Sequence, residues 1–316
     1  MCMRKIKKLS ALLLSGVLML STVACGGTSG KNGGNDTSTS KMTVEERFAD
    51  SQKKMAEVKS VHMTMDMTMG MKLAIEGEET QEAAMQTTSE IDMISNPVKA
   101  KISMTMDFGD LLAAEGETAN SEEAKQTLET YMEEVDGKYL MYTGAEGQWV
   151  KQEVDASSLT QYDPEESATL YLKSLSDVKE VGTEEINGEN TTKIEGVVKG
   201  DAIKEILDAS GVGSSLTQMT GLEQEEIDQL FKDLEDFKMT VWLNDDNYMV
   251  KVEEDLLDML NAMMKNILKD SGQEDAFTFT AFKASMIYNN FDKVEDFTIP
   301  EEAKNGTDIS TTTTTE

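Results

Sequence analysis

The chain has 316 residues, of which 39% are hydrophobic and 6% aromatic, and its formal net charge is −31. A body this acidic is repelled by nucleic acid phosphates and by anionic headgroups, so no nucleic acid partner is expected. Only two cysteines occur, and Cys2 lies in a segment that is predicted to be removed. The mature chain is therefore expected to contain no disulfide and to depend on packing alone.

Residues 1–24 have the organisation of an export signal. Four basic residues among the first eight precede an apolar run at 9–23 and the small residue Ala24. A run of about fifteen residues is shorter than the roughly twenty that cross a hydrocarbon core of ~30 Å, which predicts a cleaved signal rather than an anchor. Its removal takes away four basic residues and no acidic one, which leaves a formal charge of −35.

The sequence around the predicted cleavage point is Thr22-Val23-Ala24-Cys25-Gly26-Gly27. It resembles the lipobox of bacterial lipoproteins, in which the cysteine thiol receives a diacylglycerol. The resemblance implies that Cys25 is the lipid attachment site and carries acyl chains such as palmitate. The mature protein is then a lipoprotein on the extracytoplasmic face of the cell membrane, because paired acyl chains hold it stably. The alternative is an ordinary secretory signal.

Two segments are too polar to pack into a domain. Residues 25–40 follow the cysteine as a run of Gly, Ser, Thr, Asn and Lys, which predicts a flexible tether with a reach of about 20 Å. Residues 306–316 end in five threonines and a glutamate and are predicted to form a disordered tail. Between them, residues 41–305 contain no clear linker and are predicted to form a single domain.

The first elements of this domain are a helix and a long strand. A capping box of Thr43 and Glu46 and apolar residues at steps of three and four predict an amphipathic helix over 43–59. The period then changes to two, and seven successive odd positions are apolar: Met63, Met65, Met67, Met69, Met71, Leu73 and Ile75. This pattern predicts a strand of about 40 Å with one buried face.

Two further strands are predicted next to it. The first covers 84–94, and Asn96-Pro97 turns the chain into the second, over 98–108. The second strand places Met104, Met106 and Phe108 on one face. We expect the three long strands to be antiparallel neighbours.

The remaining patterns alternate between hairpins and helices. Short strand pairs are predicted around three turns, at 138–143 with 148–154, 178–186 with 191–198, and 238–243 with 248–253. A last pair is predicted at 277–288 and 294–299, with a bulge near 281–282 where the apolar parity switches. Helices are predicted at 121–135, 164–175, 201–209, 223–235 and 255–270.

About ten strands and six helices make the predicted fold class α+β, with a large curved antiparallel sheet. Three parts of the sequence resemble lipoproteins of the LolA/LppX/LprG type: the passage from helix to strand at 55–61, the hairpin at 137–151 and the closing segment at 288–303. The resemblance implies a half-barrel whose concave face is covered by helices and, in some members, encloses acyl chains. It assigns no ligand-contacting residue to this sequence.

The sequence lacks the groups that nucleophilic catalysis requires. His62 is the only histidine, the remaining cysteine is the predicted lipid site, and no Gly-x-Ser-x-Gly motif occurs. We therefore expect no enzyme and no cofactor, and we place His62 on the polar surface of its strand. Acidic runs such as Glu253-Glu254-Asp255 are interpreted as solvated faces. Asp245-Asp246-Asn247 resembles part of a calcium loop but is equally an ordinary turn.

The methionines are open to three interpretations. A flexible, thioether-lined face suits a lipid or another apolar ligand, and the predicted contacts are Met63, Met65, Met67, Met69, Met71, Met104, Met106 and Phe108. The same residues fit the packed core of a structural lipoprotein, whose protein partner the sequence does not identify. Thioethers are also ligands for Cu(I), so a Cu(I)- or Ca²⁺-binding lipoprotein is the third interpretation.

Overall fold

The computed structural model describes residues 42–74, 80–114, 124–154, 175–200, 234, 236–268 and 276–309. The predicted helices at 164–175, 201–209 and 223–235 fall almost entirely outside these ranges. Cys25 and the predicted signal, tether and final threonines also lie outside them.

The described elements are four helices and twelve strands. The helices are α1 (Val44–Glu57), α2 (Gly109–Ala114), α3 (Leu257–Leu268) and α4 (Glu301–Lys304). The strands are β1 (Ser60–Leu73), β2 (Gln81–Ser95), β3 (Val98–Asp107), β4 (Lys125–Val135), β5 (Lys138–Ala145), β6 (Gln148–Val154), β7 (Leu175–Ile186), β8 (Glu189–Val198), β9 (Phe237–Asn244), β10 (Met249–Asp255), β11 (Phe277–Asn289) and β12 (Thr307–Asp308). No helix in these ranges is long and apolar enough to cross a membrane.

All twelve strands form one sheet in the order β12-β6-β5-β4-β3-β2-β1-β11-β10-β9-β8-β7. Every pair is antiparallel except β12 with β6. The predicted α+β class with a large antiparallel sheet is therefore confirmed, as is the predicted neighbourhood of β1, β2 and β3. The middle of the sheet joins distant parts of the chain, because β1 pairs with β2 on one side and with β11 on the other.

The predicted bulge in β11 is present next to the expected position. Gly70 of β1 lies opposite Ala281 and Met71 lies opposite Phe279, so Thr280 is the extra residue. A Cβ atom on Gly70 would lie 2.5 Å from the Thr280 Oγ1 atom, which explains why a glycine interrupts β1 here. Bulges bend a strand and increase its twist, so this one contributes to the curvature of the sheet.

The helix predicted over 121–135 is wrong, because the chain forms β4 there. Leu128 and Met132 face the same side of the sheet as Met104, whereas Tyr131 faces the opposite side and is 7% exposed. A strand with apolar residues on both faces loses its alternation, and a spacing of four and three residues then imitates a helix. The turn signal at Asp136-Gly137, with φ values of 53° and 75°, joins β4 to β5.

The strand predicted at 294–299 is also wrong. This segment pairs with no strand in the described part of the chain. Its apolar side chains instead pack on the outer face of the sheet, where α4 follows. We call this cluster the aromatic patch; its members are Tyr131, Leu140, Tyr142, Trp149, Phe297, Ile299 and Ala303.

Candidate ligand-binding face

The predicted ligand-contacting methionines of β1 and β3 lie on the same face of the sheet, with β2 between them. Met65 lies opposite Ser89, which lies opposite Met104, and Met67 lies opposite Thr87, which lies opposite Met106. We call this surface the methionine face. Its central residues are Met63, Met65, Met67, Met69, Met85, Thr87, Ser89, Met104 and Met106, and each is at most 6% exposed.

The other two predicted residues lie towards one end of this face. Met71 and Phe108 are partly buried and pack against the cluster that contains Met67, Met69 and Met85. All eight predicted apolar residues are therefore brought to one face, and whether they contact a ligand stays a prediction.

Two helices cover the methionine face. Met55 of α1 belongs to the cluster of Met63 and Met65, and Phe48 of the same helix packs against the cluster of Met67. Met264 of α3 is buried in the latter cluster. The face is thus enclosed between the sheet and helices, as the resemblance to LolA-type lipoproteins implied.

Hydrogen bonds to the sheet hold α3 in place. The Asn261 side chain accepts from the Phe279 amide at 2.8 Å and donates to the Phe279 carbonyl at 3.0 Å. Phe279 adjoins the bulge, where the strand is locally irregular. The helix therefore supplies partners for backbone groups beside the bulge.

The turn after β9 fixes α1. Arg47 donates to the Asn247 side chain at 2.7 Å, to Thr192 Oγ1 at 2.6 Å and to the Asn244 carbonyl at 3.1 Å. Lys54 donates to the carbonyl of Asp246. The oxygens of the partial calcium motif thus accept from cationic side chains of α1. No group of three or more His, Cys, Asp or Glu residues that could hold a metal ion occurs within the described ranges.

Two hydroxyl groups in the centre of the methionine face have no hydrogen-bond partner among the described residues. Thr87 Oγ1 and Ser89 Oγ are buried and unpaired, and the residues are 3% and 1% exposed. Leaving such a group unsatisfied costs about 1–3 kcal/mol. Thr87 and Ser89 share the parity of Met85, Ile91 and Met93 along β2, so alternation alone could have placed both hydroxyls on the inner face. Their lack of a described partner depends on the neighbouring strands.

A carboxyl group also faces this side of the sheet. Glu254 lies opposite Ala284, which lies opposite Met67. Desolvation raises the pKa of Glu254 to about 7, although the residue as a whole keeps part of its surface accessible. The interpretation of Glu254 as part of a solvated face is therefore wrong. The pKa of Tyr288 is raised mainly by its own burial, and the charge of Glu254 raises it further.

His62 lies on the opposite face of β1 from the methionines. Its Nδ1 atom is 2.7 Å from Asp92 Oδ1 and its Nε2 atom is 2.8 Å from Glu90 Oε2. The expected position on the polar side of the strand is confirmed. A metal bound among the buried methionines would therefore not receive this imidazole as a ligand.

Solved structures with a similar arrangement include mycobacterial lipoproteins. LppX from Mycobacterium tuberculosis is 14% identical, with a TM-score of 0.43 over 80% of this chain and 99% of that one. LprF from Mycobacterium bovis is 13% identical, with a TM-score of 0.41 over 82% and 96%. A LolA superfamily protein from Nitrosomonas europaea is 10% identical, with a TM-score of 0.19 over 83% and 96%. LppX and the LolA superfamily are both named in the resemblance given above.

No curated protein is similar enough in sequence to count as a relative of this chain. A protein family matches residues 43–308, which include nearly every described residue. Its description is "Family of unknown function (DUF6612)". The chain therefore belongs to the DUF6612 family.

Proposed function

We propose that this protein is a lipid-anchored lipoprotein of the extracytoplasmic membrane face that binds a lipid or another apolar ligand without catalysing a reaction. The ligand lies between the methionine face and the helices α1 and α3. The observation that carries the proposal is the concentration of methionine on the covered side of three adjacent strands. Unbranched thioether side chains adapt to an irregular apolar guest more readily than branched or aromatic ones do.

Glu254 supports a ligand-binding interior over a fully packed one. A carboxyl that faces the apolar side of the sheet and yet keeps accessible surface implies space around it. A fully packed core would exclude such a group or pair it with a cation. We therefore place part of the ligand beside Glu254 and Met67.

Membrane attachment through Cys25 rests on the lipobox and on the polar tether that follows it. A Cys25→Ala variant tests this attachment. We expect the wild-type chain to fractionate with membranes and to lose residues 1–24, and the variant to keep them. Identical processing of both chains would contradict lipid attachment.

Native mass spectrometry tests ligand binding. The chain from residue 26 to 316 is suitable, because it omits the predicted signal and lipid site and keeps the whole family match at 43–308. We expect a mass excess that organic extraction removes and that is identified as lipid, and elemental analysis of the same sample should show no copper or calcium. A bare mass without metal would leave the packed structural lipoprotein as the better interpretation, and stoichiometric copper would favour the metal-binding one.

A further inference from the structure

The positions of Thr87 and Ser89 suggest what kind of lipid the methionine face accepts. Both residues occupy inward positions of β2, where the alternation of the strand otherwise places Met85, Ile91 and Met93. Valine and alanine would fill these positions with similar volume and without an unsatisfied group. The fold therefore keeps two hydroxyl donors where packing alone would favour apolar side chains.

The cross-strand neighbours do not satisfy these donors. Thr87 has Met67 and Met106 beside it, and Ser89 has Met65 and Met104. A thioether sulfur is a weak acceptor, and neither hydroxyl has a partner in the part of the chain that the structure describes. Two residues along a strand are about 7 Å apart. The centre of the face thus offers two hydrogen-bond donors, about 7 Å apart, in apolar surroundings.

The charge of the face selects against an anionic ligand. The registers of the described strands place acidic residues, among them Glu134, Glu180 and Glu254, on this side of the sheet and no lysine or arginine. Two cationic residues of the covering helix α1 are engaged elsewhere: Arg47 binds Asn247 and Thr192, and Lys54 binds Asp246. A fatty acid carboxylate or a phosphate would find no lysine or arginine of these strands here, whereas an uncharged acceptor needs none.

We infer that Thr87 and Ser89 form a polar subsite that donates hydrogen bonds to the ester carbonyl oxygens of an uncharged glycerolipid. The ester-linked acyl chains then extend from the subsite along the methionines on either side. This inference rests on the proposed function and specifies the ligand class for the same site. It predicts that the protein distinguishes ester from ether linkages, although their hydrocarbon chains are the same.

The test compares two lipids on the chain from residue 26 to 316. The probes are 1,2-dioleoylglycerol and its diether analogue, which lacks both carbonyls, titrated by native mass spectrometry. We expect the wild-type chain to bind the diester about 10- to 30-fold more tightly, since each net hydrogen bond corresponds to roughly a fivefold change in affinity. The double variant Thr87→Val/Ser89→Ala should bind both lipids as weakly as the wild type binds the diether.

Two variants serve as controls. Thr88→Val changes the adjacent, exposed threonine on the outer side of β2 and should keep the preference for the diester. Thr87→Ser keeps the buried hydroxyl and should therefore also keep the preference for the diester. The double variant should unfold at the same or a higher denaturant concentration than the wild type, because it removes unsatisfied groups.

The outcomes separate the inference from the proposed function. If the wild type binds both lipids equally, or the double variant keeps the preference for the diester, the subsite is overturned while lipid binding stands. Tighter binding of oleate than of the diester would overturn the assignment to an uncharged lipid. If the wild type binds none of the three lipids, the proposed function fails as well.

Discussion

The sheet carries a hydrophobic cluster on each face, and the two clusters are built differently. In the aromatic patch, the ring of Tyr131 lies 5.8 Å from that of Trp149 and 6.5 Å from that of Phe297. The Tyr142 hydroxyl donates to Glu133 at 2.9 Å. On the methionine face, flexible thioethers surround two hydroxyls that have no partner within the described ranges.

This difference distinguishes a cluster that stabilises the fold from one that is suited to binding an apolar ligand. Aromatic rings have few rotamers and fill a fixed volume, and the buried polar atom among them is paired. Methionine adapts its shape, and the polar groups among the thioethers lack a partner within the described structure. We therefore assign stability to the outer cluster and binding to the inner one, and the following variants test that division.

The largest expected effect comes from removing a ring of the aromatic patch. Tyr142 is 2% exposed, and Tyr142→Ala should lower the free energy of unfolding by about 3–5 kcal/mol, because it leaves a cavity and removes the hydroxyl that donates to Glu133. Denaturant unfolding measures this. Val150→Ala, at a position that is 37% exposed, serves as the control and should cost less than about 1 kcal/mol. Equal losses would contradict the assigned role of the patch.

A smaller effect on stability, with a larger one on binding, is expected at Met106. Met106→Trp should cost about 1–3 kcal/mol and reduce the amount of co-purifying lipid, because the larger side chain occupies space that the ligand needs. Thr105→Trp places the same ring on the outer side of β3 and should leave the lipid content unchanged. If both variants retain lipid equally, the ligand does not lie against Met106.

Glu254 should make stability depend on pH. Its pKa is raised to about 7 in the folded chain, so between pH 4.5 and 7 the folded state binds more protons than the unfolded state does. Stability then falls as pH rises through this window, and the loss is complete above it. At pH 8, Glu254→Gln should be more stable than the wild type by about 1–2 kcal/mol, an amount that allows for the partial exposure of the residue. At pH 4.5 the two proteins should be nearly equally stable.

Denaturant titrations at several pH values measure this difference. Glu180→Gln, at an exposed position of β7, should show none of this dependence. A difference between Glu254→Gln and the wild type that does not change with pH would contradict the assigned burial of Glu254.

The smallest effect on stability is expected from a conservative change on the methionine face. Met65→Leu/Met67→Leu keeps most of the side-chain volume and should cost about 1 kcal/mol while lipid is retained. The same variant removes two soft sulfur ligands. Elemental analysis after incubation with Cu(I) should find no copper in either protein, and uptake that only the wild type shows would support the metal-binding interpretation instead.

The same two faces explain what the sequence reveals. The strand β1 is predictable because its inner side is apolar and its outer side carries His62, Thr64 and Asp66, so the alternation is clear. The strand β4 is not, since Leu128 faces inwards while Tyr131 lies under the C-terminal segment. Local pattern contains no information about a segment that packs on the outer face from more than 150 residues away.

The site is likewise only partly encoded in local pattern. The sequence predicts that the methionines of β1 and β3 share one apolar surface, and the strand pairing places them on the same face of the sheet. Thr87 and Ser89 have only methionines as cross-strand neighbours. This arrangement depends on the register of three strands, which the sequence of no single strand specifies. Glu254 was grouped with two acidic neighbours, although alternation along β10 turns it to the other side.

The position of β1 has a consequence for how the protein matures. Its partner β2 follows directly in the chain, but Met65 pairs on the other side with Met286, near the end of the chain. A polypeptide that folds as it emerges, N-terminus first, therefore keeps one edge of β1 unpaired until β11 has emerged. Closure of so long a loop slows folding, and an open apolar edge invites aggregation. The strand that carries most of the methionines is thus paired on both sides only late in folding.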